Sequence, residues 1–464
     1  MNRRVLRIEL KRSLAPWAGA VVLGGALALV HLIDGSWWRG TGRWTSQWTS
    51  MALLTRMLLA YLWPLAVGLG AVQGLRDSRS RMTELLTTVP RPAWRRAALP
   101  AGATAIALVS GFGLLVLWGA VQVALGPTTH THLGWLPISL VAALALVAGA
   151  LFGMGVARAL PSVLTPPALV VLLLLATVLL QQHADGERPT GLAPNRLSLL
   201  SPAVAEPREM LLTLSGSVHL GQTLWLLGLL ATGFALLATA TARARLLALA
   251  PVLAGAALAL LVLPAHPRDT YVVDRTAAAL VCDGPVCVTE AHRSRLPDLA
   301  PRGKEALRLL HDALGDRAPD SVREETALRA LIEHRELSDD VVLVDFDDPL
   351  IARAKGEELT RFLLAQGLAP NCNARSDRES GDLHGVLTQS IAASWALGDR
   401  ALEPLEKPTH EEYVRKGWEE AEATWQKLMS APAAEQRSRI AGARAASLSC
   451  RYDQFEVLGG ETSR

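Results

Sequence analysis

The chain has 464 residues, half of them apolar, 19% charged and 5% aromatic, with a formal net charge of +3. That balance excludes a disordered chain and a small disulfide scaffold, and the length leaves ample room for a core. The charge is uneven: residues 1–265 hold 20 Lys and Arg against 8 Asp and Glu, while residues 266–464 hold 26 against 35. The basic half repeatedly runs some 18 residues without a charge, which excludes a single soluble globule. Basic charge beside apolar spans reads as membrane topology rather than nucleic-acid binding.

A bilayer core of about 30 Å takes about 20 apolar residues, and lipid forces them into helix because it offers the backbone no partner. Seven segments qualify, at approximately 15–34, 51–74, 98–125, 134–157, 163–182, 222–241 and 245–264. Lys and Arg in the connections number 14 on the side of the N-terminus and 5 on the other. This predicts a multi-pass plasma-membrane protein with its N-terminus in the cytoplasm and its C-terminal domain outside. The first span reads as a retained helix, with Trp37, Trp38, Trp44 and Trp48 at its outer boundary, where indole rings favour the interface. The expected organisation is a basic cytoplasmic segment over 1–14, a transmembrane domain over 15–265 and an extracytoplasmic domain over 266–464.

His31 and Asp34 lie near the outer end of span one, and Arg56 lies about a turn and a half into span two. Ionisable groups at such depth are functional candidates, but all three are near enough to the surface to snorkel. Gly70-xxx-Gly74 and Gly149-xxx-Gly153 match the close-approach motif, and Gly24–Gly25 sits in span one. These predict helix packing without specifying a dimer interface.

Between spans two and three, Asp77 or Ser78 can cap a helix in which Met82, Leu85, Leu86 and Val89 form one apolar stripe, ended by Pro90 and Pro92. Two readings fit it: a grip for a cytoplasmic partner, or a helix lying on headgroups with its arginines toward anionic lipid. In the outer connection, residues 202–215 are too short to span and read either as a re-entrant or interfacial helix or as a surface loop.

This order of parts resembles the permease subunit of exporter-type (ABC-2) ATP-binding-cassette transporters, over residues 1 to about 245. The resemblance rests on the basic start MNRRVLRIELKRSL, the charged connection RDSRSRMTELLTTVPRPAWRR, short links among spans three to five, and the outer excursion containing LSPAVAEPREMLLTL. It implies a six-helix permease core that exports an amphipathic or apolar substrate as a homodimer or heterodimer. It also implies small re-entrant helices in the outer excursion and a cytoplasmic helix that docks on the ATPase. By resemblance, Arg79, Arg81, Met82, Glu84, Leu85 and Leu86 are the coupling positions. No Gly-x-x-x-x-Gly-Lys-Ser/Thr occurs, so ATP would be bound by a separately encoded ABC ATPase subunit and this chain would carry no cofactor. The seventh span and the C-terminal domain depart from the common pattern. The full expectation is an α-helical membrane protein, a six-helix exporter-type permease core plus a seventh span, followed by a mostly helical α+β extracytoplasmic domain. A membrane-anchored sensor or mechanotransmitter, its outer domain binding an extracellular ligand, is the alternative.

In the C-terminal domain, Tyr271–Val273 and the arms of Ala278–Thr289 read as strands, the latter turning at Asp283-Gly284-Pro285. Helices are expected near 301–315, 321–336, 350–366, 383–397, 409–429 and 433–448, with a short strand at Val341–Phe346. All four cysteines lie here, and an even count outside the cytoplasm points to disulfides, with Cys282–Cys287 across the turn and Cys372–Cys450 remaining. No metal site is expected: His410-Glu411 lacks the second histidine of a zinc peptidase, His334 is followed by Arg335, and His292 has no recognised pattern with Cys282 and Cys287. Asp345, Asp347 and Asp348 cluster without the calcium-loop spacing, and capping of the following helix is the preferred reading. Trp418 and Trp425 fall on one helix face and read as core. No hydrolase or nucleotide motif appears, so the chain reads as a non-enzyme.

Overall fold

The computed structural model describes residues 14–33, 36–38, 43–76, 92–126, 130–181, 194–203, 211–239, 241–326, 336–346, 348–371, 383–406, 411–450 and 454–460. The chain divides into two compact units, Met1–Val272 and Val273–Arg464.

The first unit is mostly helix: α1 (Ala15–Leu32), α2 (Trp48–Met57), α3 (Leu59–Gly74), α4 (Ala93–Ala124), α5 (Trp135–Ala159), α6 (Thr165–Gln181), α7 (Gly216–Ala238) and α8 (Ala242–Val262). Five of these, α1, α4, α5, α7 and α8, are long and apolar enough to cross a membrane. Large apolar side chains such as Leu172, Leu175, Leu253 and Leu261 point outward and are more than half exposed, a surface suited to acyl chains rather than water.

Each of the seven apolar segments coincides with helix, with two differences. The second is a pair, α2 and α3, bent by 52° at Leu58. Pro64 inside α3 has no N–H for the carbonyl four residues back, which loosens the turn before it. The fifth, α6, has only 17 residues. Counting the bent pair as one, up to six helices meet the length for crossing.

The glycine motifs of α3 and α5 face each other within this one chain. A Cβ on Gly70 would stand 2.1 Å from the Ala150 carbonyl oxygen, and one on Gly153 would stand 2.0 Å from that of Val67. Only glycine permits so close an approach. Gly24 has open space around it and Gly25 meets only Leu62 at 3.7 Å, so that pair does not serve the same end.

The two ends of the bundle differ in chemistry. At one, Ala71, Leu75 and Ala157 cluster together, as do Ala97, Met154 and Leu237. Arg245 Nη1 donates there to the Ala159 carbonyl at 3.1 Å. At the other, Trp48 stacks on Trp135 at 5.7 Å, and Ala52, Ile138, Leu199, Val218 and Leu263 share a cluster. In the connection between α6 and α7, residues 202–215 read either as a helix or as a surface loop, and the described ones, 202–203 and 211–215, form no helix. β1 (Leu212–Leu214) pairs with β2 (Tyr271–Val273), because backbone donors there meet strand acceptors. Among the described residues a short helix, Asn195–Ser198, precedes it.

The second unit packs helices on a four-stranded sheet in the order β3 (Leu280–Asp283), β4 (Val286–Thr289), β5 (Ser321–Glu324), β6 (Val341–Val344). β3 and β4 form the expected antiparallel hairpin, with Cys282 opposite Cys287. β4, β5 and β6 are parallel, so the chain crosses from β4 to β5 through α9 (Leu296–Leu314) in the manner of an α/β layer. Leu299, Gly303, Ala306 and Leu310 form the buried face of that helix. The helix expected from residue 321 is contradicted at its start. Val322 and Glu324 alternate inward between two neighbouring strands, and this pairing outweighs local helical propensity.

Further along, α10 (Glu357–Leu368), α11 (Leu383–Leu397), α12 (Glu412–Ser430) and α13 (Ala433–Ser449) complete the unit. The helix expected over 350–366 is split, with Gly356 at φ +58 between Pro349–Arg353 and α10.

Candidate functional site

α7 reads GSVHLGQTLWLLGLLATGFALLA, in which His219, Gln222 and Trp225 recur every three residues and so share one face. Arg56 lies in the last turn of α2, two residues before the bend, where every residue from Thr49 to Arg56 is buried. Its side chain is 0% exposed and does not snorkel, because the buried turn it sits on has no route to the interface. Arg56 Nη2 donates to Gln222 Oε1. Gln222 Nε2 then donates to the carbonyls of Leu199 and Ser201, each at 3.0 Å.

The 195–201 turn is pinned from its other side as well. Asn195 Nδ2 donates to the Pro264 carbonyl at 3.0 Å and to Thr270 Oγ1 at 3.3 Å. The Ser215 N–H reaches the Thr270 carbonyl at 3.0 Å. Gln222 is therefore a tether between a buried charge and a fixed turn.

Arginine carries five N–H donors and keeps its charge in proteins. Here Nε and Nη1 of Arg56 have no acceptor, and Ser201 Oγ, His219 Nδ1 and Trp225 Nε1 are likewise buried without a partner. Among the described residues no carboxylate pairs with Arg56. An uncompensated buried charge costs several kcal/mol, so this site has strong capacity for an acceptor that the described residues do not supply. His31, by contrast, is exposed and stands 5.4 Å from the Trp38 ring. Asp34 lies outside the described residues.

The expected coupling positions Arg79, Arg81, Met82, Glu84, Leu85 and Leu86 lie outside the described residues, as do Asp347, His334, His410 and Cys372. Cys282 and Cys287 are joined, with sulfurs 2.05 Å apart. Cys450 is disulfide-bonded. Asp348 Oδ1 accepts the Leu350 N–H at 2.9 Å, the capping role. Among the described residues no group of three or more acidic, histidine or cysteine side chains could hold a metal ion. His292 Nδ1 instead meets the buried Glu324 at 2.5 Å, and Glu324 also accepts the Thr289 N–H at 2.6 Å, which satisfies that carboxylate within the fold. Trp425 is buried and Trp418 packs on the same core. The residue missed from sequence was Gln222. Its signal was a polar face, His219 and Gln222, at the start of an otherwise apolar helix.

Comparison with known protein families, with characterised proteins and with solved structures finds no match to this chain.

Proposed function

We propose that this chain is the permease subunit of an ATP-driven ABC exporter, moving an amphipathic or apolar substrate with energy from a separate ATPase subunit. In this reading seven spans place the N-terminus in the cytoplasm and the C-terminal unit outside. The permease acts as a homodimer or heterodimer in the plasma membrane. The observation that carries it is the division of the bundle into two ends. Arg76, Arg95, Arg96, Arg158, Arg243 and Arg245 all leave from the end that gathers Leu75, Ala97 and Ala157. The 76–96 connection, which holds the proposed coupling positions, emerges from that same end, where a cytoplasmic partner would find it. Trp38 with Trp44, Trp48 with Trp135, and Leu199 and Leu214 of the outer excursion collect at the opposite end.

The test is co-purification of the tagged chain from its native membranes, beside a variant with Arg79, Arg81, Leu85 and Leu86 changed to Ala. The parent is expected to bring down a P-loop protein that hydrolyses ATP in the purified sample, and the variant to lose it. An ATPase retained by the variant would displace the coupling assignment. None with either chain would leave the exporter without its engine.

A further inference from the structure

We propose that Arg56 holds an oxyanion, the phosphate or carboxylate group of a ligand bound at the aromatic end of the bundle, between α2, α7 and the 199–201 turn. The unmet atoms at this site are three obligate donors, Arg56 Nε and Nη1 and Trp225 Nε1, beside Ser201 Oγ and His219 Nδ1, each of which can donate or accept. Acceptors nearby are already engaged, since the Leu199 and Ser201 carbonyls both take hydrogen bonds from Gln222. Gln222 also turns its own acceptor toward Arg56. Obligate donors are thus in excess at the site, and Arg56 carries a positive charge that no described carboxylate balances, the acidic side chain acting on it being the Tyr271 phenol.

Contrast within the same protein makes the point. Arg361, in the C-terminal unit, ends on carboxylates, Asp399 at 2.5 Å and Glu403 at 2.7 Å. Water could fill a donor's need but not neutralise the charge. A phosphate or carboxylate does both, and charge-assisted hydrogen bonds to it are about twice as strong as neutral ones. The adjoining apolar cluster of Ala52, Leu53, Ile138 and Val218 suits a ligand whose anionic head is attached to an apolar body. This inference requires no ATPase and stands or falls apart from the exporter reading.

The test places the full chain in nanodiscs of phosphatidylcholine and follows the melting temperature in two titrations, one with phosphatidylglycerol as a growing fraction of the lipid, one with inorganic phosphate. The parent is expected to be stabilised by at least one probe. R56Q should need about tenfold more of that probe, the loss expected for one charge-assisted bond. A response to phosphatidylglycerol alone assigns the anion to a lipid-like head, and a response to inorganic phosphate assigns it to a free anion. Identical midpoints for parent and R56Q, or a parent indifferent to both probes, would overturn the proposal. If R56Q fails to fold, R56K takes its place: it keeps the charge but loses Nε and the planar fork, so an unchanged midpoint there overturns the proposal equally.

Discussion

Arg444, in the C-terminal unit, and Arg56, in the membrane unit, are both buried, and they are treated in opposite ways. Arg444 is 7% exposed and uses all three nitrogens: Nε on the Gly367 carbonyl at 2.9 Å, Nη1 on that of Arg317 at 2.9 Å and Nη2 on that of Asp339 at 2.6 Å. Gly367 lies in the last turn of α10, where carbonyls have no helical partner. Burial holds the Arg444 pKa below the ordinary guanidinium value, and the site tolerates this because each nitrogen has an acceptor. Arg56 is more deeply buried and has one partner. Arg444 places each of its nitrogens on a carbonyl, whereas two nitrogens of Arg56 are empty, the contrast on which the proposed anion site rests.

The units also differ in what holds them together, and the largest effect expected follows from that. The membrane unit depends on backbone-to-backbone approach at α3 and α5. Gly70→Leu would drive a side chain into the Ala150 carbonyl and should cost about 3 kcal/mol or more. Recovery of monodisperse protein from detergent, and its melting temperature, would fall together. Gly24→Ala, where the backbone meets nothing within 4 Å, should leave both unchanged. Equal behaviour of the two variants would break the claim that this crossing holds the bundle.

The next effect sharpens the contrast between the arginines. Arg444→Met leaves three carbonyls unpaired and should destabilise the protein by about 3 kcal/mol. Arg56→Met removes an uncompensated charge and, in phosphatidylcholine discs without added anion, should leave the melting temperature unchanged or raise it. Denaturation of the two variants side by side decides the matter. Destabilisation at both sites to the same degree would mean that Arg56 is structural after all.

How much of this was legible in the sequence follows the same division. Hydropathy located the apolar helices because lipid demands long unbroken runs, and Asp283-Gly284-Pro285 with its flanking cysteines announced the β3–β4 hairpin. The bend at Leu58 was not legible, since Pro64 is compatible with a straight or a bent helix until neighbours choose. Strand β5 was misread as helix because SVRE is short, and only pairing with β4 and β6 gives its alternation meaning. Arg56 was noticed within span two but read as near enough to the surface to snorkel. Its burial depends on Gln222, 166 positions away, and no local pattern connects the two.

The smallest effect concerns the surface of the C-terminal unit, where polar bonds are plentiful but individually weak. Arg308 grips Glu305 through Nε at 3.1 Å and Nη2 at 2.7 Å, and reaches Asp312 at 2.9 Å. That bond to Arg308 lowers the Glu305 pKa from its ordinary 4.5. A carboxylate with a depressed folded-state pKa stabilises the fold above the unfolded value, and the contribution disappears as pH falls through the folded one. Both side chains are about half exposed, so solvent and salt screen the pair. Arg308→Ala should therefore lower the melting temperature slightly at neutral pH and low salt, and parent and variant should converge in molar salt or well below pH 4.5. A difference that persists under both conditions would show Arg308 acting through the packing of its aliphatic stem on α9. In that case the surface network of this unit would contribute to the fold in the way the saturated Arg444 does, and the contrast with Arg56 would extend from the core to the surface.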